Sequence, residues 1–139
     1  MNDLPAEFQR PDGVSTTTVE AVGKLTLAME TVIRARGALY EFHQLTGKAD
    51  NELAEAIALL RSGGHDDLAD QVEREIAGRN VNEGRWTFQI VEDYERTYYE
   101  PFVARHHQVR DQLTPDRGHQ REAEMKQERA TPDEPAHGF

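Results

Sequence analysis

At 139 residues the chain is sized for one domain that can bury a real core. It is 37% hydrophobic and 30% charged, with a mean hydropathy of −0.79, which suits a helical protein with large solvated faces better than an α/β globule. With 26 acidic against 16 basic residues the net charge is −10, which repels phosphate backbones and argues against nucleic acid and anionic membrane as partners.

The absence of cysteine excludes disulfides, thiolate metal sites and thiol catalysis. The first residues, Met1–Phe8, carry no basic and apolar leader pattern, and no segment reaches the roughly 18 apolar residues of a membrane span. A soluble cytoplasmic protein is the expectation.

Residues 1–14, with Pro5, Pro11 and Gly13, show no periodicity and read as a flexible arm. Thr17 and Glu20 have the spacing of a capping box, which predicts a first long helix over about Thr18–Leu45. Along it Val22, Leu25, Met29, Val32, Ile33, Leu39 and Tyr40 share one arc, while Glu20, Lys24, Glu30, Thr31, Arg34 and Glu41 take the other side. Gly47 offers a left-handed stop. Asp50 can cap a second helix to Arg61 with Leu53, Ala56, Ile57 and Leu60 inward.

Gly63-Gly64 predicts a tight turn into a third helix, Asp66–Ala77, with Leu68, Ala69, Val72 and Ile76 on its apolar face. Gly78 ends it. Asn80 and Glu83 predict a new cap for a fourth helix, Val81–Leu113, on whose stripe Thr87, Ile90, Val91, Tyr94, Tyr98, Phe102, Val109 and Leu113 line up. Pro101 predicts a kink near Glu100.

The expected fold is therefore all-α: two long antiparallel amphipathic helices flank a short αα-hairpin in a four-helix-bundle-like domain at residues 15–113. Residues 114–139 read as a charged, largely disordered tail with an exposed helix at 118–130. At about 1.5 Å per residue the long helices run roughly 42 to 50 Å and each hairpin arm roughly 18 Å, so the hairpin covers only part of the long pair. The leftover apolar length calls for a partner, and a two-fold homodimer reuses the same stripe. A helical protein-interaction or scaffold role, with itself and another protein as partners and no cofactor, follows as the expected function.

Polar residues inside the stripes mark a candidate layer or ligand pocket. Arg36 and His43 lie near the centre of the first stripe, and an antiparallel second helix brings Glu95 level with Arg36. Tyr94, Tyr98 and Arg105 complete that layer on the fourth helix. Six of the ten aromatic residues, Trp86, Phe88, Tyr94, Tyr98, Tyr99 and Phe102, fall in one short stretch. Of these, Trp86, Phe88 and Tyr99 lie off the stripe and form a candidate partner surface.

Glu52-Leu-Ala-Glu55 and Asp67-Leu-Ala-Asp70 set acidic pairs three apart on successive helices, a spacing that can present oxygen ligands to magnesium. Over about Asn51–Asp70 this resembles the MazG-like all-α nucleotide pyrophosphohydrolases, whose pattern is Glu-Glu-x-x-Glu followed by Glu-x-x-Asp. The resemblance implies magnesium held by these carboxylates, as the alternative to an interaction role. Asn51 stands where the family has its first Glu, and Asp67 replaces a Glu. On helical wheels all four carboxylates point away from the apolar faces.

A di-iron bundle needs paired Glu-x-x-His motifs, and the chain has one, Glu134–His137, in the expected tail. His106 and His107 diverge by about 100° and read as an exposed pair. Phosphate-cradling glycine loops, nucleophile elbows and zinc spacings are absent from the sequence, which lowers the expectation of an enzyme.

Overall fold

The computed structural model describes residues 4–9, 13–114 and 120–138. Among them the protein is all-α. A 3-10 turn (Ala6–Phe8) precedes α1 (Thr16–Ser62), α2 (Asp66–Glu75) and α3 (Thr87–Tyr94). A π turn (Glu95–Tyr99) then leads into α4 (Glu100–Leu113), followed by α5 (Gln120–Arg129) and a closing 3-10 turn (Pro135–His137). No helix of the described residues is long and apolar enough to cross a membrane. The chain forms two compact units, Met1–Ile33 with Glu100–Phe139, and Arg34–Tyr99.

The largest departure from the sequence expectation is α1. Its 47 residues run unbroken through Gly47 and Asp50, so the first long helix and the first arm of the hairpin are one helix. Its start is capped by Ser15, whose Oγ accepts the Thr18 N–H at 3.1 Å, rather than by the Thr17–Glu20 box. Gly47 does not stop it, because continuing the helix keeps Leu53, Ile57 and Leu60 at core-facing spacing, which outweighs the ~1 kcal/mol that glycine costs in a helix interior. The true stop is Gly64, at φ +84°, in a Schellman arrangement: His65 N–H donates to Leu60 O at 2.8 Å and Gly64 N–H to Arg61 O at 3.0 Å.

A Cβ added at Gly47 meets nothing within 4 Å. Gly47→Ala is therefore expected to stabilise the protein by about 0.5–1 kcal/mol, read as a rise in urea midpoint at constant slope. A fall in midpoint would show that the helix is strained at this point.

In the Arg34–Tyr99 unit, the Gly63-Gly64 turn joins the end of α1 to α2, and Arg61 ties the two by donating to Asp70 at 2.7 Å and to Glu73. Ile57 and Ala69 are the buried side chains of these two segments. Leu68 and Ile76, expected inward on α2, are more than half exposed, and Ala56 is exposed too. The fourth helix starts six residues later than expected. Gly84, at φ +69°, makes a tight turn in which Asn82 and Arg85 exchange backbone hydrogen bonds, and this turn uses up the Asn80–Glu83 cap. The helix begins instead at Thr87, where Gln89 Oε1 accepts the Trp86 N–H at 2.9 Å.

Pro101 is handled by widening rather than by breaking the helix. It has no N–H for the carbonyl one turn earlier, and the π turn Glu95–Tyr99 ends two residues before it. A π turn closes its hydrogen bonds over five residues instead of four, so every later residue is displaced by about one position from an unbroken α pattern. Thr87 and Val91 are buried ahead of the turn, Glu95 and Tyr99 are half-buried within it, and Tyr98 is 52% exposed.

In the other unit, Val19, Val22 and Met29 of α1 and His106 of α4 are buried, and Thr26 Oγ1 and His106 Nε2 share a hydrogen bond of 3.1 Å. His106, expected to be exposed with His107, thus takes the inward place that α periodicity assigned to Arg105. Ile33 and Leu113, expected on the stripes, are more than 40% exposed. The α5 helix packs on the first 3-10 turn and buries Ala123, so the arm contributes to a core. Residues 131–138, expected to be disordered, are tied back: Lys126 Nζ donates to His137 O at 2.9 Å and Gly138 O at 3.0 Å, and Thr131 N–H donates to His137 Nδ1 at 3.0 Å.

Candidate functional site

The polar layer of the Arg34–Tyr99 unit is built by α1 against α3 and the π turn. Arg36 Nε donates to Glu95 Oε1, and the guanidinium lies between two rings, 5.1 Å from the centroid of Tyr40 and 4.6 Å from that of Tyr99. Two turns along α1, His43 Nδ1 and the buried Thr87 Oγ1 share a 2.6 Å hydrogen bond. As α1 advances from Arg36 to His43, the partner residue recedes from Glu95 to Thr87, so the two segments are antiparallel. The ion pair satisfies Glu95 and the rings accept the cation's faces, which lowers the cost of holding a guanidinium at a helix interface.

The hydrogen bond to Glu95 raises the Arg36 pKa further above its already high ordinary value, against the opposing effect of burial. Tyr94 stacks on Tyr98 at 5.7 Å with a 30° interplanar angle. Burial, then the neighbouring Tyr98, Glu95 and Tyr99, push its phenol above the ordinary 10, with Arg36 opposing. The folded state therefore holds the Tyr94 proton more tightly than the unfolded chain, and this contribution to stability is complete below pH 10 and is lost as pH rises through the folded value. Tyr94→Phe is expected to flatten the alkaline end of a stability profile, measured as urea midpoints from pH 8 to 11. An unchanged profile would remove Tyr94 as its source.

Of the six residues expected in this layer, Arg36 and Glu95 meet directly, His43 bonds elsewhere along the same face, and Tyr94 stacks beside Glu95. Tyr98 projects outward, and Arg105, exposed, donates to Gln108 at 2.5 Å. The π turn accounts for both departures by exchanging Tyr98 for Tyr99 and Arg105 for His106. The same exchange takes Tyr99 out of the expected partner surface and places it, half-buried, against Arg36. Tyr40 and Thr87 entered the sequence reading only as stripe residues; the i, i+4 spacing of Arg36 and Tyr40 was the available signal for the cation–π contact.

The four carboxylates at metal-like spacing do not make a metal centre. Glu52 pairs with Lys48 at 2.8 Å on its own helix, Asp70 pairs with Arg61, and Glu55 and Asp67 are exposed. Among the described residues no group of three or more His, Asp or Glu side chains could hold a metal ion. A magnesium ion needs converging oxygens, and the chain supplies cations to two of these four carboxylates instead.

Trp86 and Phe88, the remaining members of the expected partner surface, are about half exposed. They are part of a larger set. Large apolar side chains at 37% exposure or more include Tyr40, Phe42, Leu45 and Leu59 on α1, Leu68 on α2, and Ile76 and Val81 beyond it. No family model, curated protein or solved structure matches the chain.

Proposed function

We propose that the chain is a helical interaction protein that works as a homodimer and scaffolds a further protein, and that it does so in the cytoplasm. One observation carries the reading: among the described residues more large apolar side chains are exposed than buried, with Phe42 at 45%, Leu45 at 56% and Leu59 at 72% on α1 alone. Scattered surface leucines are ordinary, whereas apolar residues repeated along one helix mark a surface meant to be covered. The net charge of −10 disfavours nucleic acid as the cover. The polar layer around Arg36 supports the same reading, because its groups are used to fix one helix against another.

The test is sedimentation velocity of the full chain from about 1 to 100 μM, where a concentration-dependent shift to twice the monomer mass is expected. A single monomer boundary throughout would end this reading.

A further inference from the structure

Resting on the reading that the chain self-associates, we infer that its partner is a second copy docked antiparallel along the outer face of α1, over Arg34–Glu55. The core-facing residues of this stretch are Arg36, Leu39, His43, Thr46 and Leu53, all half-buried in the Arg34–Tyr99 unit. One residue back along the helix, about 100° round from that face, Ala35, Ala38, Phe42, Leu45, Ala49 and Glu52 recur at alternating steps of three and four, and every one is exposed. This is a seam of three successive heptad pairs, roughly 26 Å long at ~1.5 Å per residue. Its small residues let two helix backbones approach closely. Phe42 and Leu45 supply the large knobs.

The charges beside the seam choose the occupant and its direction. The flanking positions are Arg34, Glu41, Lys48 and Glu55, alternating in sign and all exposed. In an antiparallel pair these positions face their own kind on the other helix. One heptad register sets Phe42 against Leu45 of the second copy, Ala38 against Ala49 and Ala35 against Glu52. It brings Arg34 beside Glu55 of the second copy and Glu41 beside Lys48, so every flanking pair is of opposite sign and each occurs twice about the two-fold axis. Moving one heptad either way sets Glu41 against a Glu and Lys48 against a cation. A parallel pair would stack Glu52 on Glu52 inside the seam and leave the flanking charges facing Leu39, Thr46 and Leu53, which already serve the chain's own core. The surface is complementary to itself in one orientation, and a second copy is the occupant it fits.

The experiment uses the full chain and reads oligomeric state by sedimentation, with far-ultraviolet circular dichroism as the check on folding. Phe42→Glu and Leu45→Glu alter exposed positions, so helicity should hold while the dimer dissociates by about a hundredfold or more in Kd. Glu41→Lys and Lys48→Glu should each weaken the dimer by about threefold to tenfold, and the double variant, which restores opposite signs, should recover it. The cysteine-free chain permits single spin labels: Gln44→Cys, next to the two-fold axis, should give a short distance between copies, and Ala58→Cys a distance of about 45 Å.

A chain that stays monomeric overturns this inference together with the proposed function. A dimer that survives both Phe42→Glu and Leu45→Glu overturns the seam and leaves self-association standing. Failure of the double variant to recover, or a short distance at residue 58, overturns the antiparallel register.

Discussion

Ile57→Ala is expected to lower the stability of the protein by about 2–4 kcal/mol, the range for removing most of a buried branched side chain and leaving a cavity. Ile57 is 8% exposed on the α1 arm of the hairpin, in the unit where Ala69, fully buried, is the inward residue of α2. A neighbourhood whose other buried side chain is an alanine has little to collapse into the space that Ile57 leaves. Leu59, two residues on, is 72% exposed, and Leu59→Ala should change stability by no more than about 0.5 kcal/mol. The comparison is made by urea unfolding at one fixed protein concentration, because the proposed self-association would add its own stabilisation. Equal losses for the two variants would mean that α1 presents a different face to α2.

The second large effect is expected at Arg36. Removing its side chain leaves the Glu95 carboxylate, 20% exposed, without its cation and strips a cation–π contact from Tyr40 and Tyr99. Because the Arg36 side chain is itself 36% exposed, water screens part of the pair, and Arg36→Ala should cost about 1–2 kcal/mol rather than the larger loss of a fully buried pair. A double-mutant cycle with Glu95→Ala should recover a coupling of about 1 kcal/mol. Tyr99→Ala should share in that coupling and Tyr98→Ala should not. The reverse order would show that the turn before Pro101 is an ordinary α turn.

The helices of this protein were legible in its sequence wherever apolar spacing was regular and a strong stop followed. The α2 helix begins at Asp66 and ends within two residues of expectation because Gly63-Gly64 and Gly78 bracket it. The level of Arg36 with Glu95 also follows from pattern alone, since antiparallel stripes fix which residues are opposite. Gly47 misled for a physical reason: a glycine costs a helix about 1 kcal/mol, which is a stop signal only where no packing offsets it. Thr17 and Glu20 had the right spacing for a cap, but Ser15 stood earlier and closed the first turn.

The phase of the second long segment was not legible. A period of 3.6 puts Tyr98 and Arg105 on the stripe that holds Tyr94, and no residue in Glu95–Tyr99 announces that the turn there is wider. Pro101 announced a disturbance without saying whether the helix would kink, break or take in an extra residue. The exposed set Ala35, Ala38, Phe42 and Leu45 gives little signal in the sequence for a different reason: it lies one residue, about 100°, round α1 from Arg36, Leu39, His43 and Thr46, and half of it is alanine.

Composition, spacing and glycine placement thus suffice for the all-α class, the hairpin and the Arg36–Glu95 level, because these depend on short-range periodicity and on charge. Only the folded chain settles that α1 is one helix of 47 residues, that Tyr99 and His106 rather than Tyr98 and Arg105 turn inward, and that four suggestively spaced carboxylates stay apart. The first of those outcomes sets a local glycine cost of about 1 kcal/mol against packing, and all of them depend on residues distant in sequence, which a local pattern cannot contain.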